Sequence, residues 1–492
     1  MPHRWWICPL LVLSSVALAG ATPSPKQNAA GHPSKVLPVT TSSAAARKNF
    51  ERAMQNYESY RVNEARHYLR QATKEDPNFA QAFILIAEIT RDPAEEAAAR
   101  RRARSLAPKV SHGEQLLIKW IAGAQENNYI EAIAAMNDLL ASYPMDRRLA
   151  FLASGWLNSQ QRYEQAAQVL ERALALYPRY AAALNNVAYA YAYSGRFDKA
   201  FAAMERYVAL EPEEPNAHDS YGEILRMAGK FDAALVQYRM SVRIDPNFGS
   251  EVGIADTYAL MGREEDARAE YDRAIVFAGS QSEKIAYELQ SAVTWIRENN
   301  REQAEKALGE VANHANAADL PFYEAEAQRV LAMYANDLKS AMKHLQLAQQ
   351  ILQEPHELSA SDRNEEQARI LRVQATRSAE AKDLQTAVEA LNQLQAMAEK
   401  SRSQTVQLCY HGAAGAVLLA QGSSAEAISE LEEDSGDPLS MLLLWRSYTG
   451  TGASEQAQAL ATKLAGLNVP TVEQALVVPQ FRSSLAAQAA HP

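Results

Sequence analysis

Residues 181–214 read AALNNVAYAYAYSGRFDKAFAAMERYVALEPEEP. Leu184, Val187, Ala188 and Tyr191 stand at i, i+3, i+4 and i+7, which puts one apolar stripe on a helix. Gly195 interrupts the run, where a residue of positive φ ends a helix without a Cβ clash. Asp198 follows near the start of a second helix, its carboxylate complementing exposed backbone N–H groups. Ala200, Met204 and Tyr207 continue a second stripe. Glu211-Pro212 closes it, because the residue before a proline is pushed out of the α region. The unit is a helical hairpin.

It is also one of a series. Pro144, Pro178, Pro212 and Pro246 are spaced 34 residues apart. In step with them run the alanines Ala132, Ala166, Ala200 and Ala234, and the aromatics Tyr129, Tyr163, Phe197 and Phe231. Three columns in one phase, in a chain with 20 prolines among 492 residues, predict stacked helix–turn–helix units. Each unit buries its stripe only against its neighbours, so a chain too long for one compact core still folds as an array.

The columns resemble the tetratricopeptide repeat family. That family places small residues at the eighth, twentieth and twenty-seventh positions of a 34-residue unit, and larger ones between. The unit at 215–248 matches with Tyr221, Gly222, Leu225, Gly229, Ala234, Tyr238, Ser241 and Pro246. The unit at 147–180 matches with Ala150, Ala153, Ser154, Leu157, Ala166, Leu170, Ala173 and Pro178. Trp120, Leu139 and Tyr207 replace small residues, and local adjustment of helix spacing is expected there. Ile254, Ala255, Tyr258, Gly262, Ala267, Tyr271 and Ala274 fit one residue out of phase. Upstream, Ala65, Leu69, Ala72 and Pro77 form half a repeat, and weaker units centre on Ala304, Ala341, Ala387, Ala427 and Ala457. The resemblance implies an all-α, right-handed superhelical solenoid of roughly 10–12 repeats, the C-terminal ones divergent. The expected divisions are a regular array over 44–279, divergent pairs over 280–355 and 356–480, and a tail over 481–492. Val477, Val478 and Phe481 either cap the last apolar face or dock on a partner.

Residues 1–21 have the form of a secretory signal, with Arg4 before an apolar stretch from Trp5 to Ala19 and small residues through Ala21. Whether it is cleaved or stays as an anchor is left open. Residues 22–43, rich in Pro, Ser, Thr and Ala, read as a flexible linker. Loss of residues 1–21 moves the formal charge from −10 to −11 and leaves Cys409 as the single cysteine. That charge disfavours nonspecific nucleic-acid or anionic-membrane binding. No segment after the signal reads as a membrane span. An exported, periplasmic or envelope-associated protein is expected.

Motifs of catalysis are missing: there is no phosphate-binding G-x-x-x-x-G-K-[ST] and no G-x-S-x-G elbow. His356-Glu357 starts like a zinc-protease motif, but Ala360 stands where the second histidine belongs. The ten histidines are scattered, so no metal and no cofactor are expected. Cys409 and His411 lie two apart on a helix and point to different sides, which favours a buried thiol over a nucleophile. The run Arg100-Arg101-Arg102-Ala103-Arg104 follows Glu95 and Glu96 by a turn and reads as a salt-bridged helix face.

The resemblance also implies which residues face the groove, namely the second, fifth, ninth and twelfth positions of each first helix. Carried over, these give Arg148, Phe151, Asn158, Asn185, Tyr189, Asn216, Asp219, Glu223 and Arg226, with Asn186 adjacent and Asp256 in the next repeat. Amides there satisfy an extended peptide backbone, and Tyr189 offers area with a polar tip. Phe151 stands where a carboxylate clamp would want lysine, which disfavours an acidic C-terminal peptide, and Asp219, Glu223 and Asp256 point to a basic or neutral ligand. The function expected is a non-enzymatic adaptor whose groove binds a peptide or helix of a partner protein. An enzyme-accessory or glycan-binding role seated in the C-terminal half is the alternative, and self-association is left open.

Overall fold

The computed structural model describes residues 36–490. The expected signal over 1–21, the linker up to residue 35, and residues 491–492 lie outside the described residues. Among the described residues there are 25 α-helices, one short 3-10 turn at Ala107–Lys109 and no strand. The first hairpins are α1 (Ala44–Glu58) with α2 (Val62–Glu75), α3 (Ala80–Ile89) with α4 (Pro93–Leu106), and α5 (His112–Gln125) with α6 (Tyr129–Ser142). Next come α7 (Arg147–Ser159) with α8 (Tyr163–Leu176), α9 (Ala181–Tyr193) with α10 (Phe197–Leu210), α11 (Pro215–Met227) with α12 (Phe231–Ile244), and α13 (Glu251–Leu260) with α14 (Glu264–Phe277). The later pairs are α15 (Gln281–Arg297) with α16 (Arg301–Ala317), α17 (Pro321–Tyr334) with α18 (Leu338–Gln353), and α19 (Ala360–Glu380) with α20 (Leu384–Lys400). Then α21 (Gln404–Gln421) pairs with α22 (Ser424–Glu433), α23 (Pro438–Thr451) with α24 (Ser454–Ala465), and α25 (Val472–Ala490) ends the series. The chain is an all-α solenoid.

Local chemistry sets the hairpin rhythm. Asn127, Gln161, Gly195 and Gly229, again 34 apart, hold positive φ of 61°, 54°, 72° and 73° and turn the chain between paired helices. Gly262 does the same one residue early, at φ 76°, as the phase slip requires. Before each proline of the column the helix stops: Tyr143, Tyr177, Glu211 and Asp245 carry ψ of 57°, 74°, 69° and 101°. Ala132, Ala166, Ala200 and Ala234 have no solvent exposure, so paired helices close on them without side chains in between. After α14 the helices lengthen from 14 residues to 17, and α19 reaches 21.

Two ends depart from the sequence reading. Residues 36–43, read as the end of a flexible linker, are pinned to the repeats. Leu37 is buried and its N–H donates to Asp146 Oδ2 at 2.9 Å. Thr40 donates from both its N–H and its hydroxyl to Glu114, at 2.8 and 2.5 Å. At the other end, α25 continues through most of the stretch read as a tail. Val477, Val478 and Phe481 are buried against the last hairpin, with the Phe481 ring 5.0 Å from that of Trp445. Its opposite side, Val472 and Ala475, joins the apolar core shared by α15, α17 and α19.

The solenoid also folds onto itself. Arg61, in the first hairpin, pairs with Asp245 at 2.8 Å, and Arg101 pairs with Glu357 at 2.9 Å. The Tyr129 hydroxyl donates to Glu365 at 3.1 Å, and the Gln404 N–H to Gln160 Oε1 at 3.4 Å. Early and late repeats therefore share one interior.

Candidate functional site

The residues expected to line a groove do converge on the inner side of α7, α9, α11 and α13, but the chain itself occupies much of that side. Arg148 donates to Glu51 at 2.7 Å and Glu58 at 3.1 Å, both on α1. Phe151 is buried edge-on against Tyr57 and Tyr60, with centroids 5.3 and 6.0 Å away. The Tyr60 hydroxyl donates to Asn186 Oδ1 at 2.5 Å, and the Asn186 amide donates onward to Ser154 at 3.0 Å. Asn185 is fully buried beside the same hydroxyl. Asn158 is buried, and Asn216 donates to the Tyr207 hydroxyl at 3.1 Å. Asp219 is half-buried, and loss of hydration pushes its carboxyl up from the ordinary range. The first hairpin thus covers the N-terminal part of the expected floor.

Tyr189, Glu223, Arg226 and Asp256 form a chain of bonds across three helices, α9, α11 and α13. The Tyr189 hydroxyl donates to Glu223 at 2.7 Å, and Arg226 pairs with Glu223 at 3.3 Å and with Asp256. Asp256 also accepts from the Tyr271 hydroxyl at 2.5 Å. Burial works against the charge on Arg226, but Tyr238, Asp256 and Glu223 outweigh it and raise its pKa. Such a network is stable only while every member keeps its partner.

Beyond that network lies a cavity of about 350 Å³. Its walls come from α3, α4, α5, α6, α7, α9, α11, α13, α15, α17, α19 and α21, and Val469-Pro470-Thr471 lines it ahead of α25. Tyr129, Trp156, Tyr193, Tyr287, Phe322 and Tyr323 supply aromatic faces, and Gln125, Gln160 and Gln290 supply amides. Seven carboxylates face three guanidiniums: Glu88, Glu96, Glu223, Asp256, Glu326, Asp362 and Glu365 against Arg91, Arg226 and Arg369. Carboxylates outnumber guanidiniums in this lining among the described residues, although five of them are ion-paired: Glu96 with Arg100, Glu223 and Asp256 with Arg226, Glu326 with Arg329, and Glu365 with Arg369.

Glu88 marks its character most clearly. Its side chain is open to water inside the cavity, yet protein surrounds it closely enough that burial alone pushes its carboxyl up to about 7. A cation brought beside it would restore the carboxylate, since an opposite charge favours the ionised form. The sequence reading missed Glu88, because the pair α3–α4 spans only Ala80–Leu106, shorter than the 34-residue unit, and the position code slips there. It also missed Glu326, Arg329 and Glu366, where Arg329 pairs with Glu366 at 2.6 Å and Glu326 at 3.2 Å. The signal was present in the letters: Glu326 and Arg329 repeat the three-residue spacing of Glu223 and Arg226.

The remaining sequence candidates fall into structural roles. Arg100 pairs with Glu96 at 2.8 Å, Arg104 with Glu126 at 2.5 Å, and Arg102 donates to the Pro77 carbonyl. Cys409 is buried, and desolvation pushes its thiol up to about 11. His411 turns away from it to Glu430, at 2.7 Å. Among the described residues no group of three or more His, Cys, Asp or Glu is placed to hold a metal ion. No helix among them is long and apolar enough to cross a membrane.

A tetratricopeptide repeat family model matches residues 124–181, 157–215 and 186–247, so this quarter of the chain consists of such repeats. No curated protein matches. Solved structures of similar build include the yeast Tom70, at 15% identity and TM-score 0.42, covering 85% of this chain and 98% of that one. The Cut9–Hcn1 hetero-tetramer of the APC/C aligns at 17% identity and TM-score 0.41, over 82% of this chain and 76% of that one. A tetratricopeptide repeat protein from Parabacteroides merdae aligns at 13% identity and TM-score 0.35, over 55% of this chain and 93% of that one. Likenesses this distant say nothing of what the chain binds.

Proposed function

We propose that the chain is a non-enzymatic adaptor that holds a basic or neutral segment of a partner protein in its carboxylate-lined interior, within a periplasmic or envelope-associated assembly. Repeat solenoids present extended inner surfaces to other proteins, and the repeats over residues 124–247 build one wall of this interior. The observation that carries the reading is the excess of carboxylates in the cavity, with Glu88 kept near neutrality by burial and no basic neighbour shifting it. Aromatic faces beside those carboxylates suit a lysine or arginine side chain, which binds both by charge and over a ring.

The envelope setting rests on the form of residues 1–21, outside the described residues.

The test is crosslinking in the envelope of the native host, with the chain expressed from Thr22, comparing wild type with Glu88→Lys. Glu88 is water-accessible, so the variant keeps the fold and places a cation where the ligand's cation belongs. A partner captured by wild type and lost by the variant supports the reading. Equal capture by both removes the cavity as the site, and no specific capture removes the adaptor.

A further inference from the structure

A second opening lies between the outer helices α6 and α8, where the hairpin α5–α6 meets α7–α8, and it shares Tyr129, Trp156 and Gln160 with the interior cavity. It holds about 520 Å³. Bulk sits at this junction: Trp120 and Trp156 meet edge-on at 6.2 Å, where the repeat pattern calls for a small residue at position 120. The floor is apolar, with Met136, Leu140, Val169 and Ala173. At its lip Ile133 and Leu176 remain 37% and 47% exposed.

The rim is basic. Arg147, Arg162, Arg172 and Arg402 line it, all exposed, and none forms an ion pair among the described residues. Arg147 lies over the Tyr180 ring at 4.8 Å, and Arg172 donates to the Gln168 carbonyl at 3.2 Å, so two of the four are held in place by uncharged groups. The sole carboxylate in the lining, Asp146, caps α7 and accepts from the Leu37 N–H. In a chain of net charge −10, this cleft gathers four exposed arginines around an apolar floor.

Arg402 comes from the turn between α20 and α21, far along the chain. Ser403, next to it, donates to Glu365 at 2.8 Å, and Glu365 also receives the Tyr129 hydroxyl bond. The rim is therefore completed only when late repeats close over early ones.

We infer that this outer cleft is a second docking surface, and that its occupant is an acidic amphipathic helix of a partner protein. Its apolar side chains fill the space between α6 and α8, while flanking Asp or Glu residues meet the arginine rim. Helix-in-groove recognition of this kind takes its anchors at i, i+3 or i+4, and i+7. Charge-assisted bonds to arginine fix their register. The charges that line this cleft are opposite in sign to those that predominate in the interior.

The probe is a fluorescein-labelled helical peptide with leucines at i, i+4 and i+7 flanked by glutamates, beside the same peptide with lysine at every glutamate. Fluorescence anisotropy is measured with wild type, Arg162→Glu/Arg172→Glu and Leu140→Asp. Binding of the acidic peptide to wild type, weakened at least tenfold by the arginine pair and by added salt, with no binding of the lysine peptide, is expected. Both replaced arginines are exposed, so a matching melting temperature certifies the fold of that variant. Glu88→Lys must leave the acidic peptide's binding unchanged, which separates this site from the interior one. Failure of the acidic peptide to bind, equal binding of both peptides, or full binding to the arginine variant overturns the proposal. So does a doubling of mass in light scattering that the arginine variant abolishes, since a second copy would then be the occupant.

Discussion

Replacing Gly253 by alanine measures how closely α13 presses on α12. A Cβ at Gly253 would lie 2.1 Å from Tyr238 Cε1 and 2.4 Å from Cζ. Carbon atoms in contact sit near 3.5–4.0 Å, so the helix and ring must part by roughly 1.4 Å. Tyr238 has little freedom to yield: it is 1% exposed, and a Cβ at Gly222 on α11 would meet its Cδ1 at 2.9 Å. Overpacking of this kind costs about 1–3 kcal/mol. Alanine in a helix returns roughly 0.5–1 kcal/mol over glycine. The net expectation is a loss of about 1–2 kcal/mol. Gly155 on α7 supplies the control, since an added Cβ meets nothing within 4 Å. Gly155→Ala should therefore stabilise by roughly 0.5–1 kcal/mol. Long repeat arrays do not always unfold in one step, so calorimetry should be joined by amide hydrogen exchange. Protection should fall over α12 and α13 in Gly253→Ala and nowhere in Gly155→Ala. If both substitutions raise the melting temperature alike, the close approach of α13 to Tyr238 is wrong.

Other outcomes follow from single groups. Lys382 is exposed and turns the chain at φ 63° with a side chain that disfavours it, so Lys382→Gly should gain about 0.5–1 kcal/mol; a lower melting temperature would contradict that turn. Asp256→Ala strips Arg226 of its closest carboxylate and should cost about 3 kcal/mol in urea denaturation. A loss under 1 kcal/mol would mean that Glu223 alone neutralises Arg226. For Glu88, folding raises the carboxyl from 4.5 to about 7, so its contribution is complete below pH 4.5 and lost as the pH rises through 7. Glu88→Gln should melt with wild type at pH 4 and above it at pH 8, by a margin that cavity water reduces. A difference independent of pH would show that Glu88 carries an ordinary pKa.

Much of the interior was hidden from the sequence for a reason visible in particular residues. Asn186 was readable as inward-facing, because the repeat register assigns it a face. Its partner Tyr60 was not, since 126 residues separate them and no local pattern joins the two. Likewise Phe151 was placed correctly on the inner side, yet Tyr57 and Tyr60 cover it. Glu88 escaped because its repeat is shortened, and a position code read in steps of 34 loses its place there.

Hairpins, turns and the all-α solenoid were determined by the sequence itself, because each depends on residues a few positions apart. Proline removes the α region from its predecessor, glycine or asparagine accepts positive φ, and alanine lets two helices close. Only the tertiary structure decided what the inner surface contains and where the outer cleft opens. Each repeat turns on its neighbour by an angle set by side-chain bulk, and those angles accumulate along the array. Trp120, Leu139 and Tyr207 are buried at positions where the repeat pattern has small residues. Whether the first hairpin fills the groove, or Arg402 reaches the rim beside α6 and α8, is fixed by the total over many repeats and by no one of them.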